Sequence, residues 1–215
     1  MSIFNLVHEA IEPEARSGRI HGVVVGLVTN NKDPDKLGRV KVKFPWLSDA
    51  DESSWARVAA PMAGNQRGAF FLPEVDDEVL VAFEHGDVRF PYVLGALWNG
   101  QDAPPLTNDD GKNNVRMIKS RSGHVVKLND DDGKETIEII DKSGKNKIVI
   151  DTSKNTITVT TDKDITLSAA QGTIKLDAQK VEITSSDSTK LQAGSTMNVE
   201  ASGTMTVKGA TVNIN

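Results

Sequence analysis

Several side chains in this sequence stand where chemistry could occur, and each candidate fails on spacing. The four histidines, His8, His21, His85 and His124, form no i, i+2 or i, i+4 pair of the kind that ligates a metal. His85 precedes Gly86-Asp87 and reads as a solvated turn residue. Asp130-Asp131-Asp132-Gly133 suggests a calcium loop, but the positions owed to the first and last oxygen ligands are Leu128 and Ile139. A hairpin turn is the better reading. Asp76, Asp77 and Glu78 are neighbouring carboxylates before a strand, where a solvated turn is expected. Ser143-Gly144-Lys145 lacks the first glycine and the closing Ser/Thr of a phosphate loop, and no Gly-x-Ser-x-Gly elbow occurs. The sequence therefore predicts no catalytic residue, no cofactor site, no metal site and no enzyme.

What remains is architecture. The chain has 215 residues and a net charge of −5 without a dense Lys/Arg block, which argues against phosphate neutralisation as its role. It has no cysteine, so disulfides and thiolate metal sites are excluded. No apolar run reaches the roughly 20 residues of a membrane-crossing helix. Met1 to Ala10 lacks the basic and apolar regions of a signal peptide, so synthesis as a soluble protein in the cytoplasm is expected.

The composition breaks in the middle. All ten aromatic residues and all eight prolines stand at or before Pro105; the remaining 110 residues contain neither. The first half reads as a small antiparallel barrel. Ile20 to Thr29 is a strand in which Gly22 and Gly26 permit a bend or a close backbone approach. Asn30 to Lys36 is a polar loop. Val40, Val42 and Phe44 alternate with Arg39, Lys41 and Lys43, and Trp55 to Ala60 alternates likewise. Glu78 to Glu84 and Tyr92 to Trp98 complete about five strands, which suits an OB-type barrel. Met1 to Arg16 has a short helical pattern broken at Pro13. The boundaries expected are an N-terminal segment over 1–17, the barrel over 18–100, a linker over 101–122 and a repeat over 123–215.

Aliphatic pairs at i and i+2 fill that repeat: Val126/Leu128, Ile137/Ile139, Ile148/Ile150, Ile157/Val159, Ile165/Leu167, Ile174/Leu176 and Val181/Ile183. Thr189/Leu191, Met197/Val199, Met205/Val207 and Val212/Ile214 continue it. From Ile137 the steps are 11, 9, 8, 9, 7, 8, 8, 8 and 7 residues. An i, i+2 pair is the period of a strand, and a fixed repeat longer than the strand marks a solenoid. Eight residues allow one strand and one corner, about a third of a triangular turn. Two buried aliphatics also return less than ordering eight residues costs. Three chains, each supplying one side, close the triangle and leave no lateral sheet edge. The fold class expected is all-β: an N-terminal OB-type barrel followed by a C-terminal intertwined triple-stranded β-helix, a homotrimer. At one strand spacing per level the rod is roughly 50 Å long.

Several stretches resemble, in order, phage baseplate assembly protein V and the VgrG spike proteins. They are Gly38-Arg39-Val40-Lys41-Val42 with Phe44-Pro45-Trp46; Phe70-Phe71-Leu72-Pro73-Glu74-Val75; Asp77 to Gly86; Pro91-Tyr92-Val93-Leu94-Gly95; and Trp98-Asn99-Gly100. Ser122-Gly123-His124 and Asp132-Gly133-Lys134-Glu135 continue the match into the repeat. The resemblance implies a central spike of a contractile injection apparatus (a phage tail, a type VI secretion system or an extracellular particle). Such a spike docks on a hub at the inner-tube end and is driven mechanically through the target envelope when the particle fires. No hub-like domain of the VgrG kind precedes the barrel, which implies a separate hub protein, contacted by the barrel and the N-terminal segment. No lysozyme domain separates barrel and repeat, and the end, Thr211-Val212-Asn213-Ile214-Asn215, lacks the His-x-His tip motif of some phage spikes. A separate PAAR-repeat cap seated on Val212, Asn213, Ile214 and Asn215 is implied.

Two other readings stand beside it. A receptor-binding fibre or adhesin also uses trimeric β-rods, but normally ends in an aromatic-bearing head that this repeat lacks. An OB-type barrel with Arg39, Lys41 and Lys43 near Phe44 and Trp46 suits oligonucleotides, although the acidic remainder disfavours nucleic acid as a partner.

Overall fold

The computed structural model describes residues 18–48 and 51–214. The expected helix over Met1 to Arg16 lies outside them. The chain divides between Val159 and Thr160 into two compact units.

The amino-terminal unit contains the barrel. Its strands are β1 (Val24–Asn30), β2 (Lys41–Lys43), β3 (Arg57–Val58), the small hairpin β4 (Ala63–Gly64) and β5 (Arg67–Gly68), β6 (Glu78–Phe83) and β7 (Pro91–Ala96). One sheet runs β2-β1-β6-β7-β3. β3 pairs parallel with β7, while β1–β2, β1–β6 and β6–β7 pair antiparallel. The two ends of this order then meet. Val40 bridges Ala56 and Lys43 bridges Glu52, with Val40 N to Ala56 O at 3.0 Å and Ala56 N to Val40 O at 2.7 Å. The sheet thus closes into a five-stranded Greek-key barrel of OB type, with hairpin β4–β5 in the crossover between β3 and β6.

Alternation supplies the core. Val40, Val42 and Phe44 on one strand and Val79, Val81 and Phe83 on another point inward, with Val28, Ala56 and Val93 between them. Phe44 and Phe83 meet edge to face at 5.5 Å. Gly26 makes the close approach read from the sequence: a Cβ there would lie 3.2 Å from both the Lys43 carbonyl oxygen and the Phe44 ring.

A second sheet follows in the same chain. Strands β8 (Val115–Lys119), β9 (Val125–Asn129), β10 (Thr136–Ile140), β11 (Lys147–Asp151) and β12 (Thr156–Thr160) lie side by side in sequence order. β8–β9, β9–β10 and β10–β11 pair antiparallel. This differs in two ways from the expected intertwined coils beginning at residue 123. β8 falls inside the stretch 101–122 read as linker, and the first aliphatic pairs sit on a sheet that pairs with itself. The reason is loop length. Steps of 11 from Val126 to Ile137 to Ile148 leave six residues between five-residue strands, enough for the chain to reverse. Gly133 and Gly144, both at φ +73°, supply the left-handed turn positions.

From Thr161 the steps shorten and the chain changes habit. Bends recur at 162–163, 170–172, 179, 186–187, 194–195, 202–203 and 210–211, about every eight residues, with no helix or strand between them. Lys175 pairs with Asp177 at 2.9 Å, and Lys180 with Glu182 at 2.5 Å. Side chains two apart on extended backbone share a face, so Ile174/Leu176 and Val181/Ile183 share the opposite one. Among the described residues of 160–214, the one backbone–backbone hydrogen bond outside regular elements is Gly172 N to Ala169 O.

Candidate interaction surface

The polar groups singled out in the sequence resolve into turns. Asp76 is left-handed at φ +74°, and Asp77 accepts the Glu74 amide at 2.8 Å. His85 sits in a single 3-10 turn, Glu84–Gly86. His124 Nδ1 accepts the Lys142 amide at 3.2 Å, tying the β8–β9 turn to the β10–β11 turn. Asp130 pairs with Arg116 and Asp131 with Lys134, in the hairpin turn expected there. Ser143 donates to Asp141 in the next turn. His8 lies outside the described residues. Among the described residues, no group of three or more His, Asp or Glu side chains is placed to share a metal ion.

Two of the three cations on the basic barrel face, Arg39 and Lys41, are internally matched. Arg39 forks onto Asp33, with Nε to Oδ2 at 2.9 Å and Nη2 to Oδ1 at 2.7 Å, and reaches Asp35 at 2.5 Å. Lys41 pairs with Glu52 at 3.1 Å, and both cations lie near the Trp55 ring. Arg57 covers Tyr92, whose hydroxyl donates to Glu84 at 2.7 Å. Trp46 leans on Phe44, and its indole NH donates to the Val25 carbonyl at 3.3 Å. These cations and rings are engaged with one another, which disfavours a stacking platform for bases.

Asp33 is the anchor of this loop. It also accepts the amides of Asp35, Leu37 and Arg39, and its side chain is only 3% exposed. The Arg39 fork and these amides hold its carboxyl far below the ordinary value of 3.8. A depressed carboxyl stabilises the fold above its unfolded pKa, and the contribution is lost as pH falls towards the folded one. The melting temperature of Asp33→Asn is therefore expected to lie several degrees below wild type by a constant margin down to about pH 4. Below that the gap narrows, which tryptophan fluorescence melts from neutral pH downward would read. A gap unchanged into strong acid contradicts the assignment.

The remaining surface is apolar and large. On the second sheet, registers place Ile118, Val126, Ile139 and Ile148 in one row and Leu128, Ile137 and Ile150 in the next. All seven point to the same face and are exposed. Ile157 and Val159 follow on β12, also exposed. Sequence reasoning missed Ile118, because Arg116 and Ser120 stand two residues to either side of it and it has no aliphatic i, i+2 partner. The opposite face carries the Lys127–Glu138 ion pair at 2.8 Å, which helps hold the Glu138 carboxyl below its ordinary value although burial opposes this.

In the octads, the single chain does not bring Ile165, Leu167, Ile174, Leu176, Val181, Ile183, Met197, Val199, Met205 and Val207 together; each stands exposed. At the end, Val212 and Ile214 are exposed, as is Asn213; Asn215 lies outside the described residues. The sequence also passed over a cleft beside hairpin β4–β5, where Leu37, Met62, Phe70 and Phe71 are exposed.

Comparison with known proteins places these surfaces in context. Residues 24–98 match the family described as the type VI secretion system/phage-baseplate injector OB domain. The chain is 29% identical over 158 residues to the type VI secretion system spike protein VgrG1a of Pseudomonas aeruginosa, covering 71% of this chain and 24% of that protein. It is 31% identical over 126 residues to spike protein VgrG3 of Vibrio cholerae, covering 56% of this chain and 12% of that protein. It is 29% identical over 157 residues to the actin cross-linking toxin VgrG1 of Vibrio cholerae, covering 69% and 14%. The chain thus spans less than a quarter of the length of each of these relatives.

Proposed function

We propose, from the match of residues 24–98 to the injector OB domain and the similarity to VgrG spike proteins, that this chain is a VgrG-like baseplate spike protein and that three copies form a non-enzymatic central spike. In this reading the barrel docks on a separate hub at the end of the inner tube. The octads braid into a needle whose inward-facing aliphatics run from Ile165 to Val207, continuing the row of Ile137 to Val159 on the sheet before them. Sheath contraction drives the needle through the target envelope. Its working requirement is stiffness, met by interchain backbone hydrogen bonds at every level.

The observation that carries this reading is the octad geometry. Bends recur about every eight residues, one i, i+2 pair stands between successive bends, and the single chain offers the aliphatics of these pairs no cover. An apolar surface of this extent in water marks an interface. Light scattering on the purified protein tests it: the expected mass is three times the 23.2 kDa chain, and a monomer refutes the spike.

The tip is read as the seat of a cap. Val212 and Ile214 are exposed, and a PAAR-repeat protein fits as the partner that covers them. Removal of Thr211 to Asn215 is expected to abolish cap binding in a pull-down while the trimer mass, less fifteen residues, is kept. Undiminished capture of the cap by the shortened spike rejects the seat.

A further inference from the structure

The octads have a property that a trimer alone does not resolve. From Val181 to Val207 the inner positions recur at intervals of eight: 181, 189, 197, 205 and 183, 191, 199, 207. Their environments repeat as well. Val181, Met197 and Met205 are 52%, 50% and 48% exposed, while Ile183, Val199 and Val207 are 71%, 66% and 71%. A chain displaced by one octad against its neighbours would meet side chains of similar size at these levels (Val, Thr, Met, Met and Ile, Leu, Val, Val), Thr189 being the one polar member, and lose contact only at the ends. Pairing register is weakly specified where successive positions are equivalent. The octads therefore favour association without fixing which level of one chain meets which level of the next.

The meander has the opposite character. Its registers are set within one chain, Ile137 opposite Leu128 and Ile150, Ile139 opposite Val126 and Ile148. Its turns are pinned by left-handed residues at Gly133, Gly144 and Asn155. Its strands are joined by steps of 11, 11 and 9, so no shift maps it onto itself. We propose that the aliphatic face of this meander is the surface on which three copies of the chain meet, and that it sets the axial register of the octads. The inference rests on the homotrimer reading and adds the element that aligns the trimer.

The occupant of the face is a second copy of this chain on two grounds. The face is uncharged across its two rows except at one end, where Arg116 already pairs with Asp130, so it suits a like apolar face rather than a charged partner. β12 also runs directly into the octads, so chains that braid below Thr161 must begin beside one another at the meander.

The absence of native cysteine allows a direct test. A full-length chain carrying Leu191→Cys is co-expressed with a differently tagged chain carrying Val199→Cys and lacking residues 189–196, one whole octad. Mixed trimers are isolated through both tags and treated with a short bis-maleimide. Alignment from the meander places Cys of the shortened chain at the level of residue 191, so this pair is expected to cross-link. A parallel pairing of full-length Val199→Cys with shortened Val199→Cys is then expected to give no product, its two thiols being one octad apart. Cross-linking of the second pair instead means alignment from the carboxyl end, and overturns the proposal. Cross-linking of both pairs means that no element sets the register, and overturns it equally. Trimers of each chain alone without mixed trimers also count against it, since a shared meander should accept either length. A monomeric wild type sinks the homotrimer reading as well, whereas a wild-type trimer with the wrong cross-link sinks only the register role.

Discussion

Ile174→Asp is expected to convert a species of about 70 kDa, three times 23.2 kDa, into the single chain in light scattering. Ile174 is an inner member of its octad in the proposed braid, opposite in face to the Lys175–Asp177 pair. In a threefold braid one substitution places three carboxylates around the axis at one level. Removing each from water without a partner costs several kcal/mol, and like charges at that separation add repulsion. The net gain per octad is too small to absorb this. Lys175→Ala, one residue away on the outer face, is the control, losing only an exposed ion pair worth under about 1 kcal/mol. A trimer that survives Ile174→Asp, or one that dissociates equally in Lys175→Ala, excludes the alternation assigned to the octads.

Val81→Asp is expected to have the complementary effect. Val81 is fully buried between Val28, Val42, Val79, Phe83 and Val93 in the barrel core. An unpartnered carboxylate there costs on the order of 4–5 kcal/mol or more, comparable with the whole stability of a small domain. All ten aromatic residues lie at or before Trp98, so near-ultraviolet circular dichroism reports the barrel and is silent on the octads. In Val81→Asp that signal should vanish while the mass stays near 70 kDa. In Ile174→Asp the signal should persist while the mass falls. Loss of both properties in either variant argues that barrel and octads fold as one cooperative body.

The barrel is largely legible in the sequence because alternation and burial coincide there. Val40/Val42/Phe44 read as inward-facing and prove to be so, and Glu78 to Glu84, read as a strand, brings Val79, Val81 and Phe83 into the same core. Gly26 reads as a close approach and lies against Phe44 and the Lys43 carbonyl. Strand ends are less legible: Ile20 to Thr29 reads as one strand, while pairing begins at Val24 and ends at Asn30. The closure of the barrel through Val40 and Ala56 has no signature in either segment, since it depends on where two distant stretches meet.

The second half divides differently. Every aliphatic pair is visible, but pairs on an antiparallel meander and pairs on a climbing octad share the same i, i+2 pattern. The distinguishing signal is the step. Eleven residues allow a five-residue strand and a reversing turn, whereas eight allow a strand and a bend. Averaging the steps to one period hides the change at Thr161. Ile118 is invisible for a related reason, since its partners are Val126 on the next strand and not a neighbour two residues away.

The self-paired meander also bears on biosynthesis. A chain leaves the ribosome amino terminus first, and domains generally fold in that order. The barrel and strands β8 to β12 find their hydrogen-bond partners within one nascent chain, so they need not wait for a companion. The octads emerge after them and are the part that a single chain leaves uncovered. Translation order thereby keeps the most adhesive stretch hidden until folded amino-terminal portions are ready to bring siblings together, shortening its solitary exposure to the crowded cell.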